Sequence, residues 1–245
     1  MHYFIFPEKD TTIFEASSSV NSGMDEILEI RKNVSDTGAS VDVSRILMKF
    51  DTTYFQEASA SGLIPHSGSR AAKYYLNLYD ANPKALATSQ SLYAYPVSGS
   101  WDMGTGRSYD NPQTADGCSW KYRYSDTNGT LWASGSGAED GAGGMWYSSS
   151  VAPAASASLN YKSQDLKIDV TGTVNAWLNG TIVNDGFLVK RSGSVGNNHP
   201  SASEGNTDRL GSFSFFSSNT HTIYPPTLEA VWDDSNWSTG SLDAL

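Results

Sequence analysis

Cysteine is nearly missing from this sequence: Cys118 is the single one in 245 residues. An internal disulfide is therefore excluded, which fits synthesis and assembly in a reducing cytosol. Charge is also scarce, at 17% of residues, and leans acidic, with a formal net charge of −10. Lys and Arg form no cluster, so the electrostatic footprint of a nucleic-acid binder is missing, and an anionic membrane is disfavoured as a partner for the same reason. No apolar run approaches membrane-spanning length. The opening MHYFIF is too short for the apolar part of a secretory signal and meets Pro7-Glu8-Lys9-Asp10 at once, so no signal peptide is expected. The Asn-x-Ser/Thr sequons at Asn33, Asn128, Asn179 and Asn236 then carry no expectation of glycosylation.

Chemical motifs are equally sparse. The four histidines, His2, His66, His199 and His221, are scattered without metal-ligand spacing. There is no Gly-x-Ser-x-Gly, no Gly-x-Gly-x-x-Gly and no phosphate loop. Acidic pairs stand at Asp25-Glu26, Glu139-Asp140 and Asp233-Asp234. A glycosidase needs two carboxylates facing each other across a cleft, about 5 to 10 Å apart, whereas neighbours on a strand point to opposite faces. These pairs read as solvated surface charge. Calcium is the one cofactor with a candidate site, around Asp102, Asp116 or Asp185, because hard cations take oxygen ligands from such loops. Against it, no twelve-residue loop pattern is present, and Asp185 serves equally well as part of an Asn-Asp-Gly turn. No catalytic residue, metal ligand or bound cofactor is assigned from the sequence.

What is abundant is Gly, Ser, Thr, Asn and Asp, which favours many short strands joined by turns. Aromatics reach 12%, with seven Trp and thirteen Tyr, more than core packing usually needs. The chain is organised around residues 165–192, DLKIDVTGTVNAWLNGTIVNDGFLVKRS. Leu166, Ile168 and Val170 alternate with Lys167 and Asp169, so this piece predicts a strand with one buried face. Thr171 is placed to cap a short helix on which Val174, Trp177 and Leu178 share one side, and Gly180 falls where it would stop. Asn184-Asp185-Gly186 then turns the chain into a returning strand at Phe187. The helix has nowhere to bury its apolar side except the end of a two-layer β core, so Trp177 is expected to lid that core.

Around this unit the sequence predicts one strand over 3–14 with Pro7 at its edge or bend, another at 27–30, and a central strand at 44–51, SRILMKFD, with Arg45 and Lys49 on one face. A helical turn is expected around 55–60. Residues 73–79, KYYLNLY, and 91–97, SLYAYPV, are expected to pair in an antiparallel meander. Residues 98–158 are a loop-rich insertion with strand fragments at 121–124 and 130–132, and further strands are expected at 212–216 and 225–232. The whole reads as one domain over 1–234 with a C-terminal arm, 235–245.

SRILMKFD, KYYLNLY, GSWDMGTG with GCSWKYR, and DVTGTVNAWLNG followed by NDGFLVKRS resemble, in this order, the DNRLRE-type β-sandwich, a domain also classed among carbohydrate-binding modules. The similarity spans residues 11–232 and departs from the family in the SWDMG and CSWKY neighbourhoods and in the Gly/Ser-rich part at 127–158. It implies an all-β, jelly-roll-like sandwich of two antiparallel sheets with one short helix and long loops. The ending PPTLEAVWDD is similar to sandwiches among virion proteins of tailed phages, particularly those of cyanobacteria.

The expectation is a non-enzymatic virion structural protein, in head decoration, neck or collar, or tail, assembled in the host cytoplasm. Its partners would be other virion proteins in multiple copies, met through the loops and the C-terminal arm. The alternative is a carbohydrate-binding adhesion module for host-surface glycans. Trp132, Trp146, Tyr147, Tyr109 and Trp237 are the candidates for interface or glycan contact, with local packing the competing role for loop aromatics. Trp101, Trp120 and Trp177 are expected to be structural.

Overall fold

The computed structural model describes residues 1–38, 41–68, 70–82, 89–124, 129–132, 142–147, 150–152, 154–160, 165–192, 204 and 206–234. Among them the strands are β1 (His2–Ile5), β2 (Pro7–Phe14), β3 (Ile27–Val34), β4 (Val41–Phe50), β5 (Lys73–Leu78), β6 (Gln90–Pro96), β7 (Tyr122–Tyr124), β8 (Thr130–Leu131), β9 (Ala155–Leu159), β10 (Leu166–Asp169), β11 (Phe187–Lys190), β12 (Gly211–Phe216) and β13 (Thr227–Val231). Two helices, α1 (Thr53–Ala60) and α2 (Thr171–Leu178), stand where the fold class anticipated one.

The strands build an all-β antiparallel sandwich. One layer is a four-stranded sheet in the order β1-β13-β5-β10, and the other is a seven-stranded, curled sheet in the order β12-β3-β4-β11-β6-β9, with β2 also paired to β4. Alternation in β5 and β10 sends Tyr74, Leu76, Leu78, Leu166 and Ile168 into the space between the layers. There they meet Ile46, Met48, Phe187 and Val189 of the larger sheet. The helices close this core. Phe55 and Ala58 of α1 and Val174 and Trp177 of α2 are buried in it, with the Trp177 ring 4.7 Å from that of Phe187. Trp177 is thus a lid, as expected. Gly186 (φ +97°) is required where the chain re-enters: a Cβ there would stand 2.2 Å from the Met48 carbonyl oxygen.

Three expectations are corrected, and one connection that the sequence left open is settled. Residues 3–14 are two strands in two different sheets: β1 pairs with β13, and after Phe6 the chain starts β2 on β4 with Pro7 opposite Phe50. β5 and β6 do not pair; they lie in opposite layers, since alternation reports one buried face and not which strand is the neighbour. β10 and β11 likewise belong to different sheets, so α2 carries the chain across the end of the sandwich. The N-cap of α2 is Val170. Thr171 instead accepts the Tyr74 N–H on its hydroxyl at 2.9 Å and donates its own N–H to Asp169 Oδ1 at 3.1 Å.

Candidate functional site

The aromatic insertion does not stand off the sandwich. β4 and β11 are buried on both faces, and their outward residues Val43, Leu47 and Leu188 join Ile13 and Val97 in a second core. Trp101, Cys118, Trp120, Trp132 and Trp146 come down onto it. The indole N–H of Trp101 is fixed on the Asp185 carbonyl at 2.9 Å and that of Trp132 on the Ser119 carbonyl at 2.8 Å. Trp101 and Trp120 are buried in this second core. Trp132 and Trp146, expected at a contact surface, are instead only 2% and 1% exposed. Their apolar area had an uncovered sheet face to fill, and burial against it is worth about 25 cal/mol per Å². Tyr147 is half-buried against the main core, and Trp237 lies outside the described residues.

Two features that the sequence did not disclose hold this layer down. Asn21, fully buried, donates to the carbonyls of Met103 at 2.7 Å and Cys118 at 2.8 Å, and accepts the N–H of Gly106 at 2.8 Å. Gly117 approaches so closely that a Cβ would stand 2.6 Å from the Asn21 amide. The second is a buried charge cluster. Glu204 Oε2 accepts hydrogen bonds from Arg45 Nη2 at 2.8 Å and from Lys190 Nζ at 3.1 Å. Arg45 also donates to the Gly143 carbonyl at 2.7 Å and lies 4.8 Å from the Trp120 ring centroid and 5.3 Å from that of Trp146. Both basic side chains have no exposure, so this is chemistry turned inward.

Of the aromatic contact candidates among the described residues only Tyr109 is open, at 70% exposure. It stands at a groove of about 240 Å³ lined by Phe14, Asp25, Glu26, Ile27, Glu29, Ser108 and Tyr109. Alternation in β3 supplies the floor: Leu28 and Ile30 face the core while Ile27 and Glu29 turn outward. The wall is pinned from two sides. Arg107 Nη1 donates to the Tyr109 hydroxyl at 3.1 Å, and Asp25 Oδ1 accepts the Ser108 N–H at 3.0 Å. Burial raises the Asp25 pKa, more than the Ser108 hydrogen bonds lower it. The groove thus sets an open aromatic ring beside carboxylate and hydroxyl hydrogen-bond acceptors.

The calcium candidates are not gathered. The Asp116 carboxylate accepts the N–H and hydroxyl of Thr105 at 2.9 and 2.6 Å. Asp185 serves the Asn184–Gly186 turn and the Trp101 indole. Among the described residues no three His, Cys, Asp or Glu side chains are grouped as a cation site requires. No protein-family model matches this chain, and a search of curated proteins finds no match.

Proposed function

We propose that this chain is a non-catalytic structural component of a tailed-phage particle, a rigid carrier whose role lies in what it touches. The observation that carries this reading is the inward placement of the chain's strongest chemistry: Arg45, Lys190 and Glu204 are sealed between the larger sheet and the aromatic loops. A buried ion cluster of this kind ties segments together, and its own groups face no substrate. The resemblance to DNRLRE-type sandwiches and the PPTLEAVWDD ending support the particle as its setting. Its partners are then other virion proteins, met in multiple copies by the particle's symmetry. Electron microscopy of intact particles tests this directly: the expected result is density for the sandwich at fixed, repeated positions. Recovery of the protein only free in solution overturns it.

A second reading, a glycan-binding adhesion module, is favoured by the Tyr109 groove. Glycan-array binding that disappears in Tyr109→Ala, with melting unchanged, would establish it.

A further inference from the structure

β1 closes one edge of the four-stranded sheet, and among the described residues no strand lies on its other side. Met1 and Trp232 exchange both main-chain hydrogen bonds, and the antiparallel register continues with His2 opposite Val231 and Phe4 opposite Glu229. Bonded and non-bonded pairs alternate along such a ladder. Tyr3 and Ile5 therefore direct their N–H and C=O groups to β13, while those of His2 and Phe4 point outward along the free edge. The side chains divide in the same way. Tyr3 and Ile5 pack on the main core, whereas Phe4 and Phe6 are 45% and 60% exposed. The rings of His2 and Phe4 are stacked, with centroids 6.4 Å apart.

Sheets usually guard an edge with lysine, proline, a bulge, a covering element or, as in four-residue β1, shortness. Residues 2–6, HYFIF, contain none of these residues, and the irregularity comes only at Pro7. The carboxylate beside the edge, Glu229, is already held by His2 Nδ1 at 2.6 Å and Lys167 Nζ at 2.7 Å. The edge is thus neutral, aromatic and rich in free backbone groups on a chain whose formal charge is −10. Two such chains repel across broad faces, and a narrow uncharged strip is where they can approach.

We propose that β1 joins two copies of this chain, paired antiparallel about a two-fold axis at Phe4. In that register Phe4 meets its own equivalent and His2 faces Phe6, so aromatic side chains lie opposite one another and the two four-stranded sheets run on as one. The strip is complementary to itself, as a two-fold contact demands, while a charged strand would set its charges against rings. The contact gives the structural role proposed above a partner, and it rests on that role only for its use in a particle.

The test is made on the isolated full chain by native mass spectrometry and light scattering. The expected result is a species of twice 26.4 kDa. Phe4→Glu weakens it by about tenfold or more, because like charges then face each other across the axis. Its circular dichroism stays that of the folded sandwich, which separates lost pairing from lost folding. Phe4→Cys forms a covalent dimer on oxidation, since directly opposed, bonded residues have Cα atoms about 5.5 Å apart. The buried Cys118 does not compete, and Val183→Cys, 64% exposed, serves as the uncross-linked control. A chain that stays monomeric, or a dimer that survives Phe4→Glu and does not cross-link through position 4, overturns the proposal. If the dimer forms as described but the chain never appears in particles, the particle role fails and the contact stands.

Discussion

Arg45 and Glu204, 159 residues apart in the chain, meet at 2.8 Å with both side chains removed from solvent. The bond fastens Glu204 to β4 of the larger sheet, beside Trp120 and Trp146. Removing one partner of a buried ion pair leaves a charge without compensation, which costs about 3–5 kcal/mol. Glu204→Gln is therefore expected to lower the unfolding free energy by about that much in urea titration. Arg45→Met/Lys190→Met/Glu204→Leu together, which leaves no member of the cluster charged, should recover a large part of it.

Asn21→Ala removes the amide that satisfies two buried carbonyls and the Gly106 N–H. Each buried group left unsatisfied costs about 1–3 kcal/mol. The expected result is a destabilised protein that is cleaved first between residues 102 and 118 in limited proteolysis. Cleavage elsewhere would show that this loop is held by other contacts.

Trp146→Ala is expected to cost about 3–5 kcal/mol in thermal or chemical unfolding, as for other large-to-small changes in a core. The indole is 1% exposed and flanked by Arg45 and Lys190. Tyr109→Ala, on an exposed ring, should leave stability within about 0.5 kcal/mol.

Asp10 gives the protein a pH dependence of definite sign. Its carboxylate is 1% exposed and accepts the Ser218 N–H at 2.7 Å and hydroxyl at 2.8 Å. Burial outweighs those bonds and pushes its pKa from 3.8 up to about 6. Between those values the folded chain keeps a proton that the unfolded chain has lost, so stability falls as pH rises through the window and levels off above it. The cost is about 3 kcal/mol when complete. Asp10→Asn, which keeps an acceptor for the Ser218 N–H, should abolish that decline in denaturation curves taken from pH 4 to 7.

Cys118 has no exposure, and burial raises its thiol pKa well above the ordinary value. A disulfide reagent such as Ellman's should leave it untouched in the native protein and titrate one thiol after unfolding. Fast labelling of the folded chain would show that the second core opens.

The main core was legible because it rests on local patterns. DLKIDV alternates, VNAWL presents one apolar side, and Gly186 takes a conformation that a side chain would obstruct, so strand, plug and return follow from the residues themselves. The partners of those strands were not legible. KYYLNLY and SLYAYPV carry the same alternation, and nothing in either distinguishes pairing with each other from lying in opposite layers. Among the described contact candidates, the exposure that the sequence suggested is found only at Tyr109. Trp132 and Trp146 look like surface aromatics when read beside Gly and Ser, and only the uncovered outer face of β4 and β11 explains why they are inside.

Composition and alternation alone thus determined an all-β sandwich with a tryptophan at its end, since side-chain periodicity reflects the geometry of a strand and needs no distant partner. The tertiary structure decided which sheet each strand joined, which aromatics were sealed, and that Arg45 would meet Glu204. Each of these depends on surfaces brought together from far along the chain, and no local pattern encodes such a meeting.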